Sequence, residues 1–241
     1  MLGRIMRLRR RSKAPVAVSD HYRRNQVWVG SVRLSAAEDL PTGVTVDFHD
    51  RSIGNIVRLS DGGRWRNVVI DLSAAIDCVV EIGAIKVQSG GLRISFVANG
   101  GRCSTGTTVS VGRGSIFNGS MHIIGPLTPG LSVSLGENGL FATNVSIRGS
   151  SHHALWDLET GALLNPEVGI AIGDRVWLGD GVVVLNRAVI PSGSVVGARS
   201  VVNKAFAEEN TLLVGAPAIV RRRNVAWANE FPVDNGASPR V

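Results

Sequence analysis

From Ile172 to Ala207 the chain places an apolar residue at every sixth position: Ile172, Leu178, Val184, Ile190, Val196 and Val202. Four residues after each comes a small or apolar one: Val176, Val182, Ala188, Ser194, Ser200 and Phe206. A helix repeats near 3.6 residues and a strand near two, so neither alone sustains a beat of six. Six-residue periodicity is the mark of a β-helix, in which short strands and turns wind into a stacked coil. Aromatics are only 5% of the chain and glycines number 29, which suits a narrow coil with tight corners and little room for rings. Each coil packs only on its neighbours, so 241 residues can form one elongated domain.

The beat extends upstream in pieces. It runs through Val111, Phe117, Ile123, Leu135, Phe141 and Ile147, missing once at Pro129 inside a Gly125–Gly130 segment that reads as looped out. Earlier still, Ile70, Ile76 and Ile82 are six apart and Ile94 is two steps further on, with glycine-rich breaks at 89–91 and 99–101 interrupting the beat. The expected organisation is a basic disordered tail over 1–15, then a cap or irregular coils over 16–60. The β-helix follows over 61–207, with a closing segment over 208–231 and a disordered tail over 232–241. One interruption, 152–169, is too long for a coil corner, and long excursions from a rigid scaffold are where function tends to sit.

The formal charge of +7 lies mainly in the stretch 1–13, which holds six cations and no acids, leaving 20 cations against 19 acids elsewhere. A near-neutral body with no recognition motif argues against nucleic-acid binding, and the basic tail reads first as a solvated tail, with weak attachment to an anionic membrane surface as the sharper alternative. Cys78 and Cys103 have no metal-ligand spacing and read as free thiols of a reducing compartment. There is no run of about 18 apolar residues to cross a bilayer and no apolar signal-peptide core. The expectation is a cytoplasmic protein.

The stretch 173–227 carries Gly-Asp-Arg-Val-Trp-Leu-Gly at 173–179, Val-Gly-Ala-Arg-Ser-Val-Val at 196–202 followed by Lys204, and Gly-Ala-Pro at 215–217. Ahead of it, residues 140–166 run from a strand through His152 and His153 to an Asn-Pro return. Together these segments resemble the left-handed parallel β-helix (hexapeptide-repeat) acyltransferases, in the branch of polysaccharide, galactoside and xenobiotic O-acetyltransferases. The resemblance covers about 135–227 and leaves 1–60 unmatched. The left-handed winding is implied by the resemblance alone.

What the resemblance implies is direct transfer of an acetyl group from acetyl-CoA to a sugar hydroxyl, in a homotrimer whose sites lie between subunits. A hydroxyl is a poor nucleophile near neutral pH, so a base must take its proton as attack begins, and a neutral imidazole suits that task. The matched catalytic position is His153, in the pattern His-x-Leu-x-Asp with Asp157; His152 is the alternative. Family members often carry Asp two residues before the base, where this chain has Ser151. The matched cofactor-binding positions are Asp180 and Ala198 along pantetheine, Asn203 and Lys204 toward the nucleotide, and Arg222 near the CoA phosphates, where a guanidinium can bind phosphate bidentately.

Two other readings stand beside this one. A coil that lost its chemistry would serve as a binding or structural module, in keeping with Ser151 and the unmatched first third. A zinc enzyme like the gamma-class carbonic anhydrases would need three His ligands; the available set is His122, His152 and His153, in which the adjacent pair is poorly spaced, so no metal is expected.

Overall fold

A computed structural model describes residues 20–230. The basic tail, with the membrane attachment considered for it, and the tail over 232–241 lie outside the described residues. The chain winds through three parallel faces in fixed order. The first face stacks Gln26–Val29, Ile56–Leu59, Val79–Ile82, Thr108–Val111, Ser132–Leu135, Ile170–Ile172 and Val189–Ile190. The second stacks Lys86–Val87, Ile116–Phe117, Leu140–Phe141, Trp177–Leu178, Val195–Val196 and Leu212–Gly215. The third stacks Val44–Asp47, Val68–Asp71, Gly91–Ser95, Ser120–Ile124, Val145–Arg148, Val183–Leu185 and Val201–Val202. The architecture is the left-handed parallel β-helix.

The six-residue beat is the inside of this prism. Ile172 pairs with Ile190, Leu178 with Val196 and Val184 with Val202, so an uninterrupted coil takes three hexads, one per face. All six residues are at most 3% exposed. The offset positions Val176, Val182, Ala188, Ser194 and Ser200 are buried as well, and their small size is what the narrow interior admits. The two serines are satisfied: the Ser194 hydroxyl lies 3.2 Å from Thr211 Oγ1, and Ser200 Oγ accepts the Gly215 N–H at 3.1 Å.

Turning a corner every six residues requires one left-handed backbone position per hexad. Arg175, Gly181, Arg187, Gly193 and Arg199 all have φ between 52° and 70°. Three of these five corners carry arginine rather than the small residues that narrow corners suggest. Their side chains are not enclosed by the coil, so the limit is conformational rather than spatial, and a non-glycine residue there costs roughly 1–2 kcal/mol.

Coil stacking begins at Gln26–Val29, so the segment 16–60 contributes coil strands as well as a cap. The cap is the helix Asp20–Arg24, whose buried Tyr22 meets Phe48 edge to face at 5.7 Å. Burial, aided by the charges of Glu38 and Asp39, pushes the Tyr22 phenol up to about 12. At the other end Leu212–Gly215 adds in parallel and Ala218–Arg222 turns back antiparallel, which ends the parallel stack. Cys78 is buried and Cys103 half-buried, both as free thiols.

The excursions are not scattered. Between Val68 and Ile172 the longest of them emerge where the third face turns into the first: over 72–78, 96–107, 125–131 and 149–169. Ile123 pairs with Ile147, a full hexad later than an even coil would place its partner, because 125–130 loops out. Ile147 pairs with Val184, more than twice the even spacing away, because the long interruption intervenes. Over these coils the other two corners stay tighter, so one edge carries most of the irregular chain there.

Candidate active site

The long interruption is a small hairpin. Trp156 and Leu163 form an antiparallel bridge, Leu164 donates its N–H to the Leu155 carbonyl at 2.7 Å, and Asp157 shapes the tip. One Asp157 oxygen accepts the N–H groups of Glu159 and Thr160 at 2.9 and 2.7 Å, and these hydrogen bonds, those of Thr160 first, hold its carboxyl below the usual range. Asp157 is thus a turn former, which explains its place in the motif without any contact to an imidazole.

The base of the hairpin is clamped by Asn165. Its amide donates to Ser151 Oγ at 2.9 Å and to the His153 carbonyl at 2.8 Å, while its oxygen accepts the Leu155 N–H at 2.7 Å. Ser151 completes the clamp by donating to the His153 carbonyl at 3.1 Å. The residue standing where relatives of the resembled family often have Asp therefore fixes the backbone of His153, not its ring. Asn186 closes the exit by accepting the Val168 N–H and donating to the Pro166 carbonyl.

Three excursions meet at the histidines. A cleft of about 300 Å³ is lined by Asn99 and Arg102 from the first, Leu127 and Thr128 from the second, and Ser151, His152, His153, Asn165 and Glu167 from the third. Glu167 joins the last two, since Oε2 accepts the N–H groups of Leu127 and Thr128 at 2.9 and 2.6 Å. Asn99 donates its amide to the His152 carbonyl. His152 has φ 66°, and its buried Nε2 has no hydrogen-bond partner among the described residues. His153 is exposed on the cleft wall. An exposed imidazole on a backbone held by this clamp can accept a proton from a docked hydroxyl.

The cofactor candidates fall into separate places. Asn203 lines a neighbouring cleft of about 430 Å³ with Ser151, Asn165 and Arg187, on the same edge as the histidines. Lys204 follows it, its ammonium 5.4 Å from the Phe206 ring centroid. Asp180 and Ala198 lie at the opposite end of the third face, one coil apart. Asp180 is spoken for by the Thr143 N–H at 2.9 Å. A side chain at Gly179 would come within 2.8 Å of the Ala198 nitrogen, so glycine is what allows that corner its close approach. Arg222 is exposed on the closing strand opposite Leu212, whereas its neighbour Arg223 is paired with Glu208 at 2.5 Å. Trp177 stands 6.2 Å from Trp227, whose indole N–H donates to the Arg175 carbonyl. One chain thus places His153 and Asn203 on one edge of the prism and Asp180 and Ala198 on another.

His122 sits apart from the other histidines, on the outside of the third face, with Nε2 3.1 Å from Ser95 Oγ; burial and then Arg93 and Arg148 lower its pKa. Among the described residues no three His, Cys, Asp or Glu side chains gather as a metal site. The sequence reading missed Asn99, Arg102 and Glu167. Asn99 and Arg102 lie in a glycine-rich break two excursions before the histidines, with no spacing signal linking them.

No family model matches the chain. A galactoside O-acetyltransferase of Lactococcus lactis is 33% identical over 129 residues, which is 53% of this chain and 57% of that protein. A galactoside O-acetyltransferase of Escherichia coli is 31% identical over 119 residues, 49% of this chain and 56% of that protein. The chain spans about half the length of the curated relatives it matches. Among solved structures, the polySia-specific acetyltransferase NeuO superposes with a TM-score of 0.58 at 22% identity, covering 79% of this chain and 91% of that one. The resemblance to hexapeptide-repeat acetyltransferases therefore stands in sequence over about half of the chain and in fold over about four-fifths.

Proposed function

We propose that this chain is an acetyl-CoA-dependent O-acetyltransferase acting on a sugar hydroxyl of a surface polysaccharide or its precursor, with His153 as general base. The observation that supports this most is the cleft in which three excursions of a rigid coil converge on His153. The sequence similarity to galactoside O-acetyltransferases supports the reaction class. In the reaction the acceptor oxygen attacks the thioester carbonyl as His153 takes its proton. Collapse of the tetrahedral adduct then expels the CoA thiolate, which recovers the proton. No enzyme-bound acyl group is needed, because the thioester is already activated.

Asp180, Ala198, Asn203, Lys204 and Arg222 hold the donor in this reading. Asp180 and Ala198 lie a face away from His153, so the donor channel forms where one copy's third-face corner meets the histidine edge of the next. A homotrimer provides that meeting, and light scattering on the purified protein should give three times the chain mass. A strict monomer that still transfers acetyl groups would overturn the composite site.

Calorimetric titration with acetyl-CoA tests the reading as a whole, since a coil without this chemistry has no reason to bind it. The variant Lys204→Glu/Arg222→Glu should raise the KM for acetyl-CoA by about tenfold or more, because charge-assisted bonds to phosphate are worth roughly 1.5–3 kcal/mol each. The acceptor KM should change little. An unchanged KM for acetyl-CoA would remove both residues from the donor site.

A further inference from the structure

The histidine cleft does not end at the hairpin 98–103. The same Asn99, Gly100 and Arg102 that wall it also wall a second cleft, of about 610 Å³, which continues along the edge to His49, Arg51 and Ser73. Both clefts lie on the edge where the third face turns into the first. From the turn that carries Arg51 to the turn that carries His153 the edge climbs four coils. At the stacking distance of about 4.8 Å per coil this is a groove about 19 Å long.

Its chemistry is one-sided. Arg51 and Arg102 are exposed along it and form no salt bridge among the described residues. The one carboxylate in either lining, Glu167, has an oxygen engaged by two backbone N–H groups. Asp71, two residues before the lining Ser73, accepts a hydrogen bond from the Ser73 hydroxyl and lies 3.6 Å from Arg93. Guanidinium groups without acidic partners, spaced along a groove with amide and hydroxyl groups between them, suit a chain of sugars bearing carboxylates.

We infer that the groove is an extended acceptor site for an acidic oligosaccharide, with Arg102 and Arg51 each contacting a carboxylate while one sugar hydroxyl rests at His153. This rests on the acetyltransferase reading and narrows its acceptor from a single sugar to an acidic chain several units long. It also assigns a use to the segment 48–103, which lies outside the resemblance.

The test is direct binding without acetyl-CoA, by calorimetry with oligogalacturonates of one, two, four and six units and neutral malto-oligosaccharides of the same lengths. The acidic tetramer and hexamer should bind at least tenfold more tightly than the acidic monomer and than the neutral series. Arg102→Glu and Arg51→Glu should each weaken the hexamer by about tenfold, and added salt should weaken wild type more than either variant. Arg51→Glu should keep the wild-type affinity for acetyl-CoA and the same thermal midpoint, which separates lost contacts from lost folding. Equal binding of neutral chains, absence of a length effect, insensitivity to both substitutions, or no binding of any acidic chain at millimolar concentration would each overturn the inference. Acetyl-CoA titration of the same preparation tells these failures from failure of the enzyme reading, because a sound donor site with no acidic preference sinks only the groove.

Discussion

Replacing His153 by alanine should lower turnover by about 10²–10⁴-fold, the range that a positioned general base contributes. The hairpin survives the change, because its clamp uses the His153 carbonyl and not the ring: Ser151 and Asn165 both donate to that oxygen. Affinity for acetyl-CoA should therefore stay near wild type, and the loss should fall on kcat. His152→Ala is the needed companion. That residue holds a left-handed backbone conformation between the Ser150 hydroxyl and the Asn99 amide, and its buried Nε2 has no partner among the described residues. Its loss should cost less than that of His153. Near-wild-type turnover in His153→Ala together with collapse in His152→Ala would move the base one residue back.

Phe141→Ala should destabilise the fold by about 3–5 kcal/mol, as expected when a buried aromatic ring is deleted. Phe117 and Phe141 occupy the same inward position on consecutive coils, 1% exposed or less, with ring centroids 5.0 Å apart. The site collapses poorly because the backbone around it is held by strand pairing on both sides, to Ile116–Phe117 and to Trp177–Leu178. Total stabilities of folded domains are about 5–15 kcal/mol, so this is a large share. Urea denaturation should show the midpoint falling with an unchanged slope. Trp177→Ala, one coil away but 37% exposed on the outer surface, should cost much less. A loss below about 1 kcal/mol for Phe141→Ala would mean that the coil interior repacks freely, against the close packing of protein interiors.

The positions that were legible in advance share one property: their role repeats. Leu178 and Val196 do the same job on successive coils, so a single rule finds them all. The looped-out 125–130 and the long interruption were legible as failures of that rule. His153 stood out because it lies in such a failure and matches a motif. Asp157 matched too, yet its carboxylate serves the hairpin tip, since a motif preserves residue identity without saying which atoms a side chain meets. Ser151 stands where the motif often has Asp, and with Asn165 it clamps the His153 backbone.

Arg102, Asn99 and Arg51 illustrate the opposite case. Nothing in their local sequence distinguishes them from polar residues of any glycine-rich turn. They matter because successive coils return the chain to the same edge, so turns far apart along the chain become neighbours in space. Likewise the separation of Asp180 and Ala198 from His153 depends on which corner each occupies, and that depends on every insertion before it. Period and composition determined the coil, because inward positions of a narrow prism obey a local rule of size and polarity. The convergence of three excursions on one edge, and the groove it creates, was decided only by the stacked structure, because it is a sum of coil lengths that no single segment carries.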